Sequence, residues 1–205
     1  MVCYNGGREF WQKGDNGAQM VSGNFCFTET SIKDLYLIDV KTYGDERGYF
    51  METYKKSDFE AAGLFYDFVQ DNQSCSRRGV LRGLHFQRRN PQAKLVRVLK
   101  GEVFDVAVDL RRGSETYGRW EGALLSEENR RQLLIPRGFA HGFLVLSETA
   151  EFAYKCDALY DPEDEDGILW NDPSIGIVWP EVGEIILSDK DRRNPGFSEN
   201  PVAFF

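Results

Sequence analysis

Residues 94–110, KLVRVLKGEVFDVAVDL, decide the fold class. Two runs rich in β-branched and apolar residues flank Gly101, a pattern that predicts two strands joined as a hairpin. In the second run Val103, Asp105, Ala107 and Asp109 share one face, and Phe104, Val106, Val108 and Leu110 share the other, because side chains alternate across a strand. Outward from this pair, turn signals recur at DERG (45–48), RRGS (111–114) and PRG (136–138). Short strand-like segments separated by turns imply an all-β sandwich or barrel. One helix is expected at 57–62, with Ser57 as its N-cap and Glu60 three residues on as a capping box. The acidic segment 157–167 reads as a loop at a barrel mouth. Residues 1–23 are polar, glycine-containing and aperiodic. They are read as a disordered extension, a mis-start upstream of Met20, or residues foreign to the native chain; 24–205 is read as a single domain.

Length and composition narrow the function classes. At 205 residues, 41% hydrophobic and 28% charged, the chain has the make-up of an ordinary globular domain. A net charge of −8 argues against a nucleic-acid surface, though a local basic pocket remains compatible with it. Cys3, Cys26, Cys75 and Cys156 show no paired spacing, which reads as reduced thiols rather than a disulfide framework or zinc site. No apolar run approaches the ~20 residues of a membrane span. The expectation is a cytoplasmic protein with neither membrane nor nucleic acid as partner.

The chain has two histidines. His85 sits in GVLRGLHFQ (79–87), with a Gly-five-residues-His spacing, and His141 in PRGFAH (136–141), with Pro-X-Gly-X-X-His. These spacings resemble the two histidine segments of a cupin-type β-barrel. A metal-binding cupin has His-X-His in the first segment, whereas this chain reads His85-Phe86-Gln87. One histidine per segment leaves a first-row metal short of its usual imidazole set. The pocket is therefore expected to do acid/base chemistry with no metal and no cofactor.

Further segments make a narrower resemblance: GDERGYFMETY (44–54), FVQDN (68–72), QAKLVRV (92–98), EFAYKCDALY (151–160), GILWNDPSIGIVWP (167–180) and LSDKDR (187–192). With the two histidine segments they are similar to the dTDP-4-dehydrorhamnose 3,5-epimerase family over 24–197. The resemblance implies an all-β, cupin-type jelly-roll barrel with a few short helices. It also implies proton removal and return at carbons 3 and 5 of a 4-keto-6-deoxy sugar nucleotide. Both carbons lie beside the ketone, so the chemistry needs a base, an acid on the other face, and positive charge near the enolate oxygen.

By that resemblance His85 is the base, Asp191 orients it, Tyr154 is the proton donor and Lys94 steadies the enolate. Arg47, Glu52, Gln70, Asn72, Arg82, His141, Tyr160, Glu165 and Lys190 match substrate-contacting positions. Arg82 and His85 have opposite strand parity, so a regular strand cannot place both in one pocket; Gly83 between them is the expected site of a bulge. The resemblance further implies a homodimer, with the strand near 24–28 added to the partner's sheet. Family members often read QDNHS where this chain has Gln73 after Asn72. Two other readings stand beside double epimerisation. One is a 3-only or 5-only epimerase, or a ketoisomerase, on a related deoxysugar nucleotide; the other is a non-catalytic sugar-nucleotide-binding cupin.

Overall fold

The computed structural model describes residues 12–14, 17–199 and 204. One antiparallel sheet runs in the order β1 (Gln12–Gly14), β2 (Gly17–Ser22), β3 (Phe25–Glu29), β4 (Tyr36–Val40), β12 (Gln132–Ile135), β9 (Lys94–Lys100), β14 (Thr149–Cys156), β7 (Gln70–Arg77). A second runs β11 (Trp120–Ser126), β10 (Glu102–Asp109), β13 (Phe139–Val145), β8 (Leu81–Gln87), β15 (Glu165–Gly167). A hairpin of β5 (Thr42–Asp45) and β6 (Gly48–Met51) stands apart from both. Among the described residues, helix is confined to α1 (Lys56–Ala61) and a 3-10 turn at Asp191–Arg193. The all-β, jelly-roll expectation holds.

Strand alternation explains the layering. Between the sheets, Val96, Val98 and Phe152 of the first pack against Val103, Ala107 and Phe143 of the second. The other face of β10, Val106 and Val108, packs outward under Ile168, Ile175 and Phe204 of the C-terminal segment. On the outer face of the larger sheet, Phe59 of α1 meets Phe25 and Phe27 edge-on, with ring centroids 5.3 and 5.0 Å apart. Each such buried side chain contributes about 1.5–3 kcal/mol. The neighbouring half of that face, over β9, β14 and β7, has no such cover among the described residues. It forms a trough of about 430 Å³ lined in part by Leu95, Arg97, Leu99, Gln132 and Lys155.

Five expectations need correction. β9 and β10 are not a hairpin: β9 pairs with β12 and β14, while β10 pairs with β11 and β13. Their inward faces oppose each other across the core, so Gly101 (φ +77°) turns the chain from one sheet to the other; a Cβ there would lie 2.1 Å from the Thr149 carbonyl oxygen. Lys55, not Ser57, is the N-cap of α1, and it makes no side-chain cap; the Ser57 hydroxyl is turned to Asp58. The acidic loop ends in a strand, since 165–167 pair with β8. The boundary at 24 is late, because β2 already pairs with β3, whereas residues 1–11, 15 and 16 of the expected extension lie outside the described residues. Finally, β3 is bonded to β2 on one side and β4 on the other, which leaves 24–28 no free edge to add to a partner's sheet.

Candidate active site

β8 brings His85 to the inner face through an irregularity. Its register with β13 runs His141↔His85 and then Phe143↔Arg82, so one extra residue lies on β8 between them. This is the bulge expected at Gly83. Gly83 has φ +133°, and a Cβ would sit 2.6 Å from the Gly142 Cα, so only glycine lets the two strands approach here.

His85 Nε2 lies 2.6 Å from Asp191 Oδ1. An ionised carboxylate only accepts hydrogen bonds, so Nε2 carries the proton and Nδ1 keeps the lone pair. Asp191 is held by the 3-10 turn, where its backbone N–H donates to Ser188 Oγ at 3.0 Å. Burial would raise its carboxyl, but hydrogen bonds from His85, Ser188 and the Gly83 backbone hold it below the usual carboxylate range, and a second proton on His85 would hold it lower still.

The facing wall belongs to the larger sheet. Register sets Lys94 of β9 beside Cys156 of β14 and Gln70 of β7; one row along stand Val96, Tyr154 and Asn72. Directly paired residues project to the same side, so Lys94, Tyr154, Gln70 and Asn72 share the inner face. Lys94 Nζ lies 6.0 Å from the Tyr154 ring centroid. Burial pushes the Lys94 ammonium down, against the partial offset of Cys156, Glu165 and Asp105. Burial likewise pushes the Tyr154 phenol up, and the Arg82 charge opposes it. Glu165 acts electrostatically on His85, Lys94 and Tyr154, which ties both walls to one pocket.

A polar rim closes one side. Gln70 Nε2 donates to Asn72 Oδ1 at 2.9 Å, and the Tyr160 backbone N–H donates to Gln70 Oε1 at 2.8 Å. Tyr160 Oη donates to Glu165 Oε2 at 2.8 Å, and Lys190 pairs with the same carboxylate. Arg82 reaches Ser76 of β7.

The structure thus gathers His85, Asp191, Lys94, Tyr154, Gln70, Asn72, Arg82, His141, Tyr160, Glu165 and Lys190 around one cleft between the sheets. It does not bring Arg47 or Glu52 there. Arg47 pairs with Asp45 in the β5–β6 hairpin, and Glu52 accepts from Asn24. The hairpin lies outside both sheets, and strand reasoning has no way to place it. Gln73 faces away from the cleft and donates to Glu151 at 3.1 Å on the outer surface, so the departure from QDNHS does not touch the pocket.

Sequence reasoning missed Asp105. It is fully buried, with His141 Nε2 at 3.0 and 2.9 Å from its two carboxylate oxygens. The signal was present: a carboxylate sharing a face with Val103 and Ala107.

Comparison with known proteins places the chain in a family. The profile of the dTDP-4-dehydrorhamnose 3,5-epimerase family matches residues 29–199. This chain belongs to that family. A dTDP-4-dehydrorhamnose 3,5-epimerase of Methanothermobacter thermautotrophicus is 57% identical over 180 residues, 87% of this chain and 97% of the relative. One from Pseudomonas aeruginosa is 55% identical over 173 residues, covering 84% and 96%. Among solved structures, an epimerase of this family from Legionella pneumophila, in complex with dTDP-4-keto-L-rhamnose, superposes with a TM-score of 0.84. It is 49% identical and covers 87% of this chain and 97% of its own.

Proposed function

We propose that this protein epimerises dTDP-4-dehydro-6-deoxy-D-glucose at carbons 3 and 5 to dTDP-4-dehydro-L-rhamnose, a step toward dTDP-rhamnose. The observation that carries the reading is a His85–Asp191 dyad on one wall of a cleft whose other wall holds Lys94 and Tyr154. His85 Nδ1 takes the proton from a carbon beside the ketone, and Asp191 stabilises the resulting imidazolium. The Lys94 ammonium offsets the charge that develops on the enolate oxygen. Tyr154, a phenol that stays protonated at neutral pH, returns a proton from the opposite face. The same four groups serve both carbons if the sugar ring turns between the two steps. Every step is a proton transfer, so the residues themselves supply the chemistry.

Gln70, Asn72, Arg82, Tyr160, Glu165 and Lys190 contact the sugar nucleotide in this reading, Arg82 with a fork suited to phosphate, while His141, paired with Asp105, braces the floor beneath them. Arg47 and Glu52 pair with Asp45 and Asn24 and not with the residues of the cleft, so we assign them to the site of a second copy in a cytoplasmic homodimer. The uncovered outer face supports a dimer: Gln132 Oε1 is buried without a hydrogen-bond partner, and Arg97, its cross-strand neighbour, is half-buried with its guanidinium unpaired among the described residues. Light scattering is expected to give twice the chain mass, and a monomer at working concentration would refute this assembly. We read the two sheets, β2 included, as one catalytic unit.

Incubation with dTDP-4-dehydro-6-deoxy-D-glucose in deuterated water tests the function. Deuterium at two carbons is expected. Uptake at one carbon would mean a mono-epimerase, and no uptake a binding protein.

A further inference from the structure

Arg82 spans the gap between the two sheets at the edge where β7 and β8 lie. Its Nε and Nη2 both donate to Ser76 Oγ, at 3.1 and 3.0 Å. Ser76 is buried on the inner face of β7, in register with Ala150 of the core. Its hydroxyl makes no other hydrogen bond among the described residues. A buried hydroxyl beside an apolar neighbour is costly unless it is hydrogen-bonded, and here its bonding is devoted to one arginine.

That contact leaves part of the guanidinium free. Of the five N–H donors of an arginine, two go to Ser76. Both on Nη1 and the second on Nη2 have no partner among the described residues. These three form the end of the fork, whose planar spacing suits two oxygens of one phosphate. A long, exposed arginine without an anchor samples many rotamers, and ordering it on binding weakens affinity.

We propose that Ser76 is a positioning residue, which holds Arg82 by its Nε edge and leaves the Nη end aimed at the diphosphate of the nucleotide sugar. This inference rests on the reading of the cleft as a dTDP-sugar site.

A double-mutant cycle on dTDP binding tests it, with calorimetry on wild type, Ser76→Ala, Arg82→Ala and the double variant. Ser76→Ala is expected to weaken dTDP binding by about two- to tenfold, the worth of one ordered hydrogen bond. It should leave thymidine binding unchanged, and raise KM without lowering kcat. In the Arg82→Ala background the serine change should have no further effect, since its whole role passes through that guanidinium. Ser76→Thr, which keeps the hydroxyl, should restore affinity. Wild-type affinity in Ser76→Ala, or an additive loss in the double variant, would overturn the inference while leaving the epimerase reading intact. A wild-type protein that failed to bind dTDP would overturn both.

Discussion

Two histidine–aspartate pairs sit side by side in this fold, and they are not equivalent. His85 and His141 are direct cross-strand partners, and each bonds a carboxylate through Nε2. The outer pair is open: the side chains of His85 and Asp191 are 27% and 4% exposed. The inner pair is shut, at 9% for His141 and 0% for Asp105, with the imidazole 6.1 Å from the Phe152 ring and nearly parallel to it. One His–Asp unit can hand a proton to a guest, while the other braces the floor of the cleft. Access, not the pair itself, separates a base from a brace.

The sharpest way to break this comparison is to disable each histidine in turn. His85→Asn is expected to lower kcat by about 10²–10⁴-fold, the usual range for losing a general base, and to abolish deuterium uptake. Its melting temperature should stay close to wild type. Equal loss of turnover and stability would place His85 among the braces.

His141→Ala should act the other way round. It strands the Asp105 carboxylate in the core, which costs about 3–5 kcal/mol when a buried charge loses its partner. Urea unfolding would read this as a lower midpoint at unchanged slope. An unchanged midpoint would mean that Asp105 is neutral or finds another donor.

A third measurement sharpens the contrast through pH. Burial lowers Lys94 from 10.5 and raises Tyr154 from 10.0. Lys94 must be charged to steady the enolate, so its loss of charge, set below the ordinary lysine value by burial, contributes an alkaline fall in kcat, while burial moves the loss of the Tyr154 proton upward. Lys94→Arg should move that limb upward, because arginine stays charged. The stability contribution of Lys94 has the opposite sign. Between its lowered folded value and 10.5 the unfolded chain binds the proton and the folded chain does not, so folding gains stability there as pH rises. An alkaline limb unmoved in Lys94→Arg would transfer it to Tyr154.

Legibility in the sequence divides along physical lines. Period-2 alternation in 94–110 correctly sorted Val103, Asp105 and Ala107 from Val106 and Val108. It misjudged the partners of those strands, because alternation reports which face a residue takes and says nothing about which strand lies beside it. The parity conflict between Arg82 and His85 demanded a bulge at Gly83, and the register shift is there. Ser57 failed as a cap because α1 begins at Lys56, two residues before the start that a cap at Ser57 would set.

The cleft residues came from motif resemblance, and the fold gathers all of them except Arg47 and Glu52. Arg47 lies in a hairpin and Glu52 directly follows it, and the position of that segment depends on packing against other elements, which a linear motif does not encode. Asp105 went unrecognised as a site residue for the converse reason: its importance depends on His141, 36 residues away, and on the sealing of both from water.

The sequence alone determined the strand-rich class, the alternation of each strand and the need for an irregular β8, because these follow from local sterics and side-chain period. Tertiary structure decided that β9 and β10 face each other instead of pairing, and that β7 carries Ser76 to Arg82. It also decided that one His–Asp pair opens to the cleft while its neighbour is buried. Those outcomes depend on how two sheets stack, and stacking is a matter of long-range burial that no single segment specifies.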